Sequence, residues 1–164
     1  MKVFNNLKYM ILAPLSENYQ VTQKFWERPQ YYKQFGLKSH DWADYWCPIW
    51  TPVFASFDWI IELWDQGKTW YWKYIVLTEQ SWDSRRQCLY AHLSKIQKNN
   101  WDIVKAWEQI GLSGNTGNST GAHLHFSFRR IDKDWNIINY NNGWHWREDI
   151  FWKWYFVQNL KSKY

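Results

Sequence analysis

Four histidines and one aspartate have the types and the spacing to bind a metal ion and to move protons. His40 and Asp44 are four residues apart in SHDWAD, and His92 stands in LYAHLS. His123 and His125 alternate in HLHFSFR. Histidine nitrogen and carboxylate oxygen are good zinc ligands, and a catalytic zinc takes three protein ligands and leaves a fourth position for water. Bound zinc lowers the pKa of that water to about 7, which suits hydrolysis at neutral pH.

The segment HLHFSFR has the alternation of a β-strand. Successive side chains of a strand point to opposite faces. We therefore expect the apolar residues to face the core, and the two histidines to share the other face, starting roughly 6.6–7 Å apart. The apolar residues are Leu124, Phe126 and Phe128. An HxH pair on one strand face can serve one site.

The elements that must position these residues are predicted to be strands. Short apolar runs rich in Val, Ile, Tyr and Phe recur between polar turns, which is a strand pattern. The runs are YMILAPL (9–15), TPVFASF (51–57), KYIVLTE (73–79), CLYAHL (88–93), HLHFSFR (123–129) and NIINY (136–140). Residues 102–110 fit either a helical turn or a strand. The pattern predicts an all-β antiparallel domain with few or no helices.

The length of 164 residues suits one domain with a core of its own, so we expect residues 1–164 to form a single domain. No run of about 18 apolar residues occurs, and we expect no membrane span. The N-terminal apolar run is too short for a signal peptide, and we interpret it as a first strand. Cys47 and Cys88 could form a disulfide or could both be free.

The net charge of +5 favours anionic partners such as wall polymers, nucleic acid or lipid headgroups, although an ordinary lysine-rich surface explains it equally well. A nucleic-acid or membrane-surface protein would show a clustered Lys/Arg stripe, an RNA-binding aromatic motif or an amphipathic helix. The sequence has none of these. We therefore expect no nucleic-acid partner. The sequence leaves the oligomeric state open, and a monomer is our expectation.

Taken in order, the segments SHDWAD, TPVFAS, LYAHLS and IGLSGNTGNSTGAHLHF resemble the motifs of the lysostaphin-like (LytM-type) zinc endopeptidases. These enzymes cut peptide bonds in bacterial cell-wall peptidoglycan. The resemblance covers residues 21–128, with a weaker tail to residue 151, and the block 111–126 is its most specific part. It implies a sandwich-like β domain with a groove over one Zn²⁺ ion, a peptidoglycan peptide as substrate, and action at the cell wall.

The resemblance also implies a role for each site residue. His40, Asp44 and His125 correspond to the zinc ligands, with water completing a tetrahedron. His92 and His123 correspond to the histidines that flank this water. One of them would accept a proton from the water, and the other would stabilise the oxyanion or protonate the leaving amine; both assignments stay open.

The alternative function is a non-catalytic wall-binding or regulatory module on the same fold. Such a module would be expected to lack one of the five site residues, and all five are present. We interpret His145 as an ordinary surface or core residue, and Asp41 as a solvated loop residue or a partner of a ligand. The turn-rich loop SGNTGNSTG at 113–121 is either a plain turn or a groove wall beside the metal.

Tryptophan is abundant and glycine is scarce, with 16 Trp against 7 Gly. Many tryptophans stand where the family pattern or a turn calls for glycine. The clearest of these are Trp26, Trp42, Trp50, Trp59, Trp72, Trp101, Trp107 and Trp135. Weaker cases are Trp46, Trp64, Trp70, Trp82 and Trp146, whereas Trp144, Trp152 and Trp154 fit genuine aromatic positions.

This glycine-to-tryptophan pattern suggests recoding. UGA is read as tryptophan in some genetic codes and as glycine in others. The hypothesis is that a lineage which reads UGA as glycine encodes the chain, and that the printed tryptophans follow the other code. The rival is a protein truly rich in tryptophan, whose indoles form a sugar-stacking surface. The tryptophans of such a surface would not be expected to coincide with positions where the family pattern or a turn calls for glycine.

Overall fold

A computed structural model of the chain describes residues 11–23, 28–34, 40, 43–65, 73–80 and 84–134. These residues contain one short helix, α1 (Pro29–Lys33), and ten strands. The strands are β1 (Val21–Gln23), β2 (Ala43–Trp46), β3 (Pro52–Phe54), β4 (Trp59–Asp65), β5 (Lys73–Gln80), β6 (Ser84–Ala91), β7 (Lys95–Ile96), β8 (Ile103–Val104), β9 (Gln109–Leu112) and β10 (His123–Asp132). Every strand pairing between them is antiparallel, so the predicted fold class is confirmed.

The strands form two sheets. Seven of them lie in the order β1-β2-β10-β6-β5-β4-β8, and three lie in the order β3-β9-β7. Strand β10 runs between β2 and β6, and it pairs with both. Its residue His125 stands opposite Asp44 of β2 on one side and Ala91 of β6 on the other. The centre of the large sheet therefore gathers the segments that carry the candidate site.

Strand β10 has the alternation that its sequence predicts. Leu124, Phe126 and Phe128 are buried members of the main hydrophobic core. Phe126 packs there against the rings of Tyr45 and Tyr90. Burying such aromatic and aliphatic side chains is the main source of the stability that holds β10 in place.

The predicted strands at 51–57, 73–79, 88–93 and 123–129 correspond to β3, β5, β6 and β10. The ambiguous stretch at 102–110 contributes to β8 and β9, so its strand interpretation is the right one. Strand β4, with the sequence WIIELWD, was not predicted. The predicted strand at 136–140 and the C-terminal tail lie outside the described residues.

The predicted first strand is wrong over residues 11–15, which form an irregular segment and not a strand. Pro14 has no backbone N–H to donate to a strand ladder. The segment still joins the core through two backbone bonds of 2.8 Å, from Leu12 N–H to the Ser56 carbonyl and from Phe54 N–H to the Pro14 carbonyl. Its apolar residues Ile11, Ala13 and Leu15 are buried.

Cys47 and Cys88 are both buried free thiols, so the disulfide alternative does not hold. Burial raises the pKa of the Cys47 thiol, and it raises that of Cys88 to about 12. Among the described residues, no helix has the length and apolar character that a bilayer crossing needs.

Candidate active site

Asp44 and His125 meet across two neighbouring strands. They stand directly opposite each other in the register of β2 and β10, and opposite residues of an antiparallel pair share one face of the sheet. Nδ1 of His125 lies 2.7 Å from Oδ1 of Asp44. The pairing register of the sheet is thus what brings these two side chains together.

His40 approaches the same carboxylate from the segment before β2. Its Nε2 lies 3.2 Å from Oδ2 of Asp44, and its ring centroid lies 5.4 Å from that of His125. The side chain of His40 is almost fully buried, with 2% of its surface exposed. Asp44 therefore contacts a histidine with each of its two oxygens.

The donor set of His40, Asp44 and His125 fits a zinc ion. One ligand atom from each residue can be chosen so that all three lie within 4.8 Å of one another. Ligands at about 2.0–2.2 Å from a tetrahedral ion are roughly 3.4 Å apart, close to the 3.2 Å between His40 and Asp44. Two imidazoles and one carboxylate are also a ligand set that catalytic zinc uses in proteins.

His92 reaches the site because the backbone turns at that residue. Ala91 ends β6 opposite His125, so an extended continuation would send the next side chain to the other face. His92 instead has a φ of 60°. Its ring centroid lies 5.5 Å from that of His125 and 4.6 Å from that of His123. Sparse backbone conformations of this kind cluster at functional sites.

His123 lies on the same strand face as His125, as its sequence predicts. The two ring centroids are 6.4 Å apart, and Nε2 of His123 is 3.8 Å from Oδ1 of Asp44. His92, His123 and His125 form a second group whose nitrogens could hold a metal ion. His125 belongs to both groups and so joins the proposed ligands to the two flanking histidines.

The loop at 113–121 holds both flanking histidines. Nδ1 of His92 lies 2.6 Å from the Thr116 carbonyl, and Nδ1 of His123 lies 2.8 Å from the Gly121 carbonyl. A carbonyl only accepts hydrogen bonds, so each Nδ1 carries the proton in a neutral ring and each Nε2 is the acceptor. The loop is therefore a wall of the site, the second of its two predicted roles.

Glycine is required where this loop crosses the segment after β6. A Cβ atom on Gly114 would lie 2.5 Å from the amide nitrogen of Ser94 and 2.7 Å from the carbonyl oxygen of His92. Both are backbone atoms that cannot move aside cheaply. The absence of a side chain lets the loop lie directly against the backbone that carries His92.

Burial and charge together set the protonation of the site. Burial raises the pKa of Asp44, but hydrogen bonds from His125 and His40 outweigh it and hold that pKa well below its ordinary value. Burial lowers the pKa of His125. Burial, followed by the charges of His125 and His123, lowers the pKa of His92 to about 3. Asp44 is thus anionic, and His92 and His125 are neutral at neutral pH.

All five residues predicted for the site lie side by side, whereas Asp41 and His145 lie outside the described residues. Sequence reasoning did not single out Thr116, Ser119 or Gly121, which hold the two flanking rings. The glycine- and asparagine-rich composition of residues 113–121 indicated a turn-rich loop. It did not indicate which atoms of the loop contact the histidines.

The sequence model described as Peptidase family M23 matches residues 38–137, which is more than half of the chain and includes all five site residues. The chain belongs to peptidase family M23. The resemblance to lysostaphin-like endopeptidases is thereby confirmed.

Known relatives of this M23 chain include the peptidoglycan DD-endopeptidase ShyA of Vibrio cholerae. The two are 31% identical over 113 residues, which cover 69% of this chain and 25% of ShyA. The M23 chain thus spans about a quarter of the length of this curated relative.

Two solved structures extend the comparison. The M23 chain is similar to a zinc-containing peptidase from Vibrio cholerae, with a TM-score of 0.63 and 28% identity over 76% of this chain and 39% of the other. It is also similar to lysostaphin from Staphylococcus simulans, with a TM-score of 0.54 and 31% identity over 70% of this chain and 42% of the other. Zinc in one of these M23-like structures agrees with the donor set described above.

Proposed function

We propose that this chain is a zinc-dependent endopeptidase that hydrolyses peptide bonds in bacterial cell-wall peptidoglycan. The observation that carries the proposal is the convergence of His40, Asp44 and His125 on one point, with two more histidines beside it. Membership of a peptidase family supports the reaction class.

His40, Asp44 and His125 are the proposed ligands of one Zn²⁺ ion. Bound there, zinc supplies a Lewis acid for the scissile carbonyl and lowers the pKa of water. The low pKa of Asp44 keeps its carboxylate ionised, and the low pKa of His125 keeps its imidazole neutral, which are the protonation states that zinc ligands need.

His92 and His123 are the proposed proton carriers. Each is held through Nδ1 by a carbonyl of the loop at 113–121, which leaves Nε2 as the atom that accepts a proton. Their ring centroids are 4.6 Å apart, so both can serve one reacting peptide bond. One ring takes the proton of the attacking water at Nε2. The other, as an imidazolium that carries a proton on Nε2 as well as on Nδ1, stabilises the oxyanion or protonates the leaving amine.

Peptidoglycan is the proposed substrate because ShyA, a relative at 31% identity, is a peptidoglycan DD-endopeptidase. The net charge of +5 suits an anionic cell-wall polymer. The proposed place of action is accordingly the cell wall. A non-catalytic wall-binding module would have no use for two proton carriers beside a metal-ligand set, so the geometry favours the enzyme.

The proposed function is tested on purified peptidoglycan sacculi. The zinc-loaded chain is expected to release new free amino groups and no new reducing sugar ends, because it hydrolyses amide and not glycosidic bonds. The metal-free chain, tested in parallel, should release neither. Binding to sacculi without new amino groups, at full zinc occupancy, would contradict the enzyme and favour the binding module.

A further inference from the structure

Three turns of the chain share one geometry. They span residues 48–51, 99–102 and 105–108, and in each the N–H of the fourth residue donates to the carbonyl of the first, at 3.2, 3.2 and 3.0 Å. The third residue of every turn is a tryptophan, namely Trp50, Trp101 and Trp107. Their φ angles are 75°, 71° and 70°.

A β-turn with positive φ at its third residue is one that requires glycine or asparagine there. A Cβ atom clashes with the backbone in this left-handed region, and glycine has none. In all three turns, tryptophan, the residue with the bulkiest side chain, occupies the third position, where glycine or asparagine is expected.

Hydrogen bonds to other segments of the chain hold the three turns in this conformation. The amide of each tryptophan donates across to another segment, at 2.8–3.0 Å. The acceptors are the carbonyls of Ser113 for Trp50, Ile61 for Trp101 and Ala55 for Trp107. The turns therefore cannot take up a conformation suited to a large residue without losing these bonds.

Packing does not explain the positions of two of the three indoles. The side chains of Trp50 and Trp101 are 59% and 65% exposed, whereas a tryptophan stabilises a fold by burying its ring. Trp107 is the exception, since it stacks on Phe54 with ring centroids 4.5 Å apart. A fourth tryptophan, Trp59, is 39% exposed and has a φ of 153°, also a range that L side chains rarely adopt.

Positive φ concentrates on tryptophan among the described residues. Four of the six described tryptophans have it, and the other two, Trp46 and Trp64, lie in strands. Apart from tryptophan and glycine, the described residues with positive φ are Arg28 and His92. The four positive-φ tryptophans also belong to the set whose sequence context most clearly calls for glycine.

We propose that the cell reads the codons of Trp50, Trp59, Trp101 and Trp107 as glycine, so that the natural polypeptide carries glycine at these positions. The codon would be UGA, which differs in meaning between genetic codes. Glycine at position 50 would also remove an exposed indole from a turn that is bonded to Ser113, where the loop holding His92 and His123 begins.

The test combines the codons of the gene with the mass of the natural protein. UGA at these four positions, together with tryptic peptides from the native cells whose masses and fragment spectra fit glycine, is the expected result. UGG codons would overturn the proposal, and so would UGA codons whose peptides contain tryptophan. Neither readout involves activity, so the outcome is independent of the proposed peptidase function.

A separate observation concerns the hydroxyl of Ser119. Its Oγ lies 3.1 Å from Nδ1 of His123, and it donates to the Gly121 carbonyl at 2.8 Å. The same carbonyl is 2.8 Å from Nδ1 of His123. The hydroxyl therefore bridges the His123 ring and the Gly121 carbonyl, to which Nδ1–H of the ring also donates a hydrogen bond.

We infer that Ser119 is a positioning residue for His123, an inference that rests on the proposed peptidase function. By accepting from Nδ1–H and anchoring the Gly121 carbonyl, Ser119 fixes the ring plane and keeps Nε2 as the acceptor atom. The hydrogen bonds of its hydroxyl go to Gly121 and His123, and none of them involves a proposed ligand atom.

The test compares Ser119→Ala with Ser119→Thr, and uses Thr120→Ala as a control because that neighbouring hydroxyl residue is exposed. Loss of one neutral hydrogen bond predicts a roughly 2- to 10-fold fall in kcat for Ser119→Ala, with KM and zinc content unchanged. Ser119→Thr should restore kcat, and Thr120→Ala should leave it unaltered.

Unchanged kcat in Ser119→Ala, or a fall that comes with loss of zinc, would overturn the positioning role. Failure of the proposed function looks different. If His123→Ala keeps full kcat, His123 has no part in the reaction, whatever the result at Ser119.

Discussion

Nδ1 of His125 lies 2.7 Å from Oδ1 of Asp44, although 81 residues separate them in the chain. Oδ2 of the same aspartate lies 3.2 Å from Nε2 of His40. The carboxylate of Asp44 thus contacts one histidine from the N-terminal third of the chain and another from β10, an interior strand of the large sheet. Zinc bound to these three residues would replace the protein's own hydrogen bonds without a large rearrangement.

Asp44→Asn should remove zinc and wall hydrolysis together. The amide of asparagine keeps the shape of the carboxylate but lacks its charge. Loss of a residue that only hydrogen-bonds a metal ligand weakens metal binding by roughly 10–100-fold, and loss of a ligand should weaken zinc binding by more than this. Zinc content by mass spectrometry and amino-group release from sacculi measure the two effects. Asp134→Asn is the matched control, since Asp134 is exposed and belongs to neither candidate metal group. Hydrolysis retained in Asp44→Asn would exclude Asp44 as a ligand.

His92→Ala should keep zinc and lose turnover. His92 contacts the Thr116 carbonyl and the rings of His123 and His125, and it is not in the group of His40, Asp44 and His125. Loss of a general acid or base predicts a fall in kcat of about 10²–10⁴-fold. Steady-state kinetics at full zinc occupancy measures it. If zinc is lost instead, His92 is a ligand and not a proton carrier.

Trp101→Gly should stabilise the chain. The indole is mostly exposed and its φ of 71° is strained for any L side chain, so relief of strain should raise the free energy of unfolding by about 1 kcal/mol. Trp64→Gly is the opposite control, because Trp64 lies in β4 and stacks on Tyr74. Glycine in that strand should lower stability. Urea unfolding compares them, and equal destabilisation by both changes would contradict the strain argument.

Cys47 and Cys88 should resist thiol reagents in the folded chain. Both are buried, and burial raises the pKa of Cys88 to about 12, so the reactive thiolate is scarce at pH 8. Labelling with a disulfide reagent should be slow in buffer and should reach two thiols per chain after unfolding in denaturant. Rapid labelling of the native chain would show that one of the thiols is accessible.

Part of the site was predictable because apolar and polar residues alternate with the two-residue period of a β-strand. The alternation in HLHFSFR correctly placed Leu124, Phe126 and Phe128 in the core and the two histidines on the other face. The family motifs then supplied the grouping of His40, Asp44 and His125, which sequence spacing alone could not give. Their meeting depends on the register between β2 and β10, a long-range property of the sheet.

Other features could not be predicted from local patterns. Strand alternation would put His92 on the wrong face, and only its φ of 60° brings the ring to the site. Strand β4 escaped prediction because exposed tryptophans at positions 59 and 64 obscure the alternation of WIIELWD. The segment 11–15 is apolar and buried, yet Pro14 keeps it from pairing as a strand.

Anomalous diffraction at the zinc edge from crystals of the zinc-loaded chain tests the central claim most directly. The two candidate metal groups share His125 but are otherwise different, so the position of the ion separates them. We predict one anomalous peak bounded by His40, Asp44 and His125, with His92 and His123 outside ligand distance. A peak bounded by His92, His123 and His125, or no peak in either group at full zinc loading, would contradict the assignment of ligands and proton carriers.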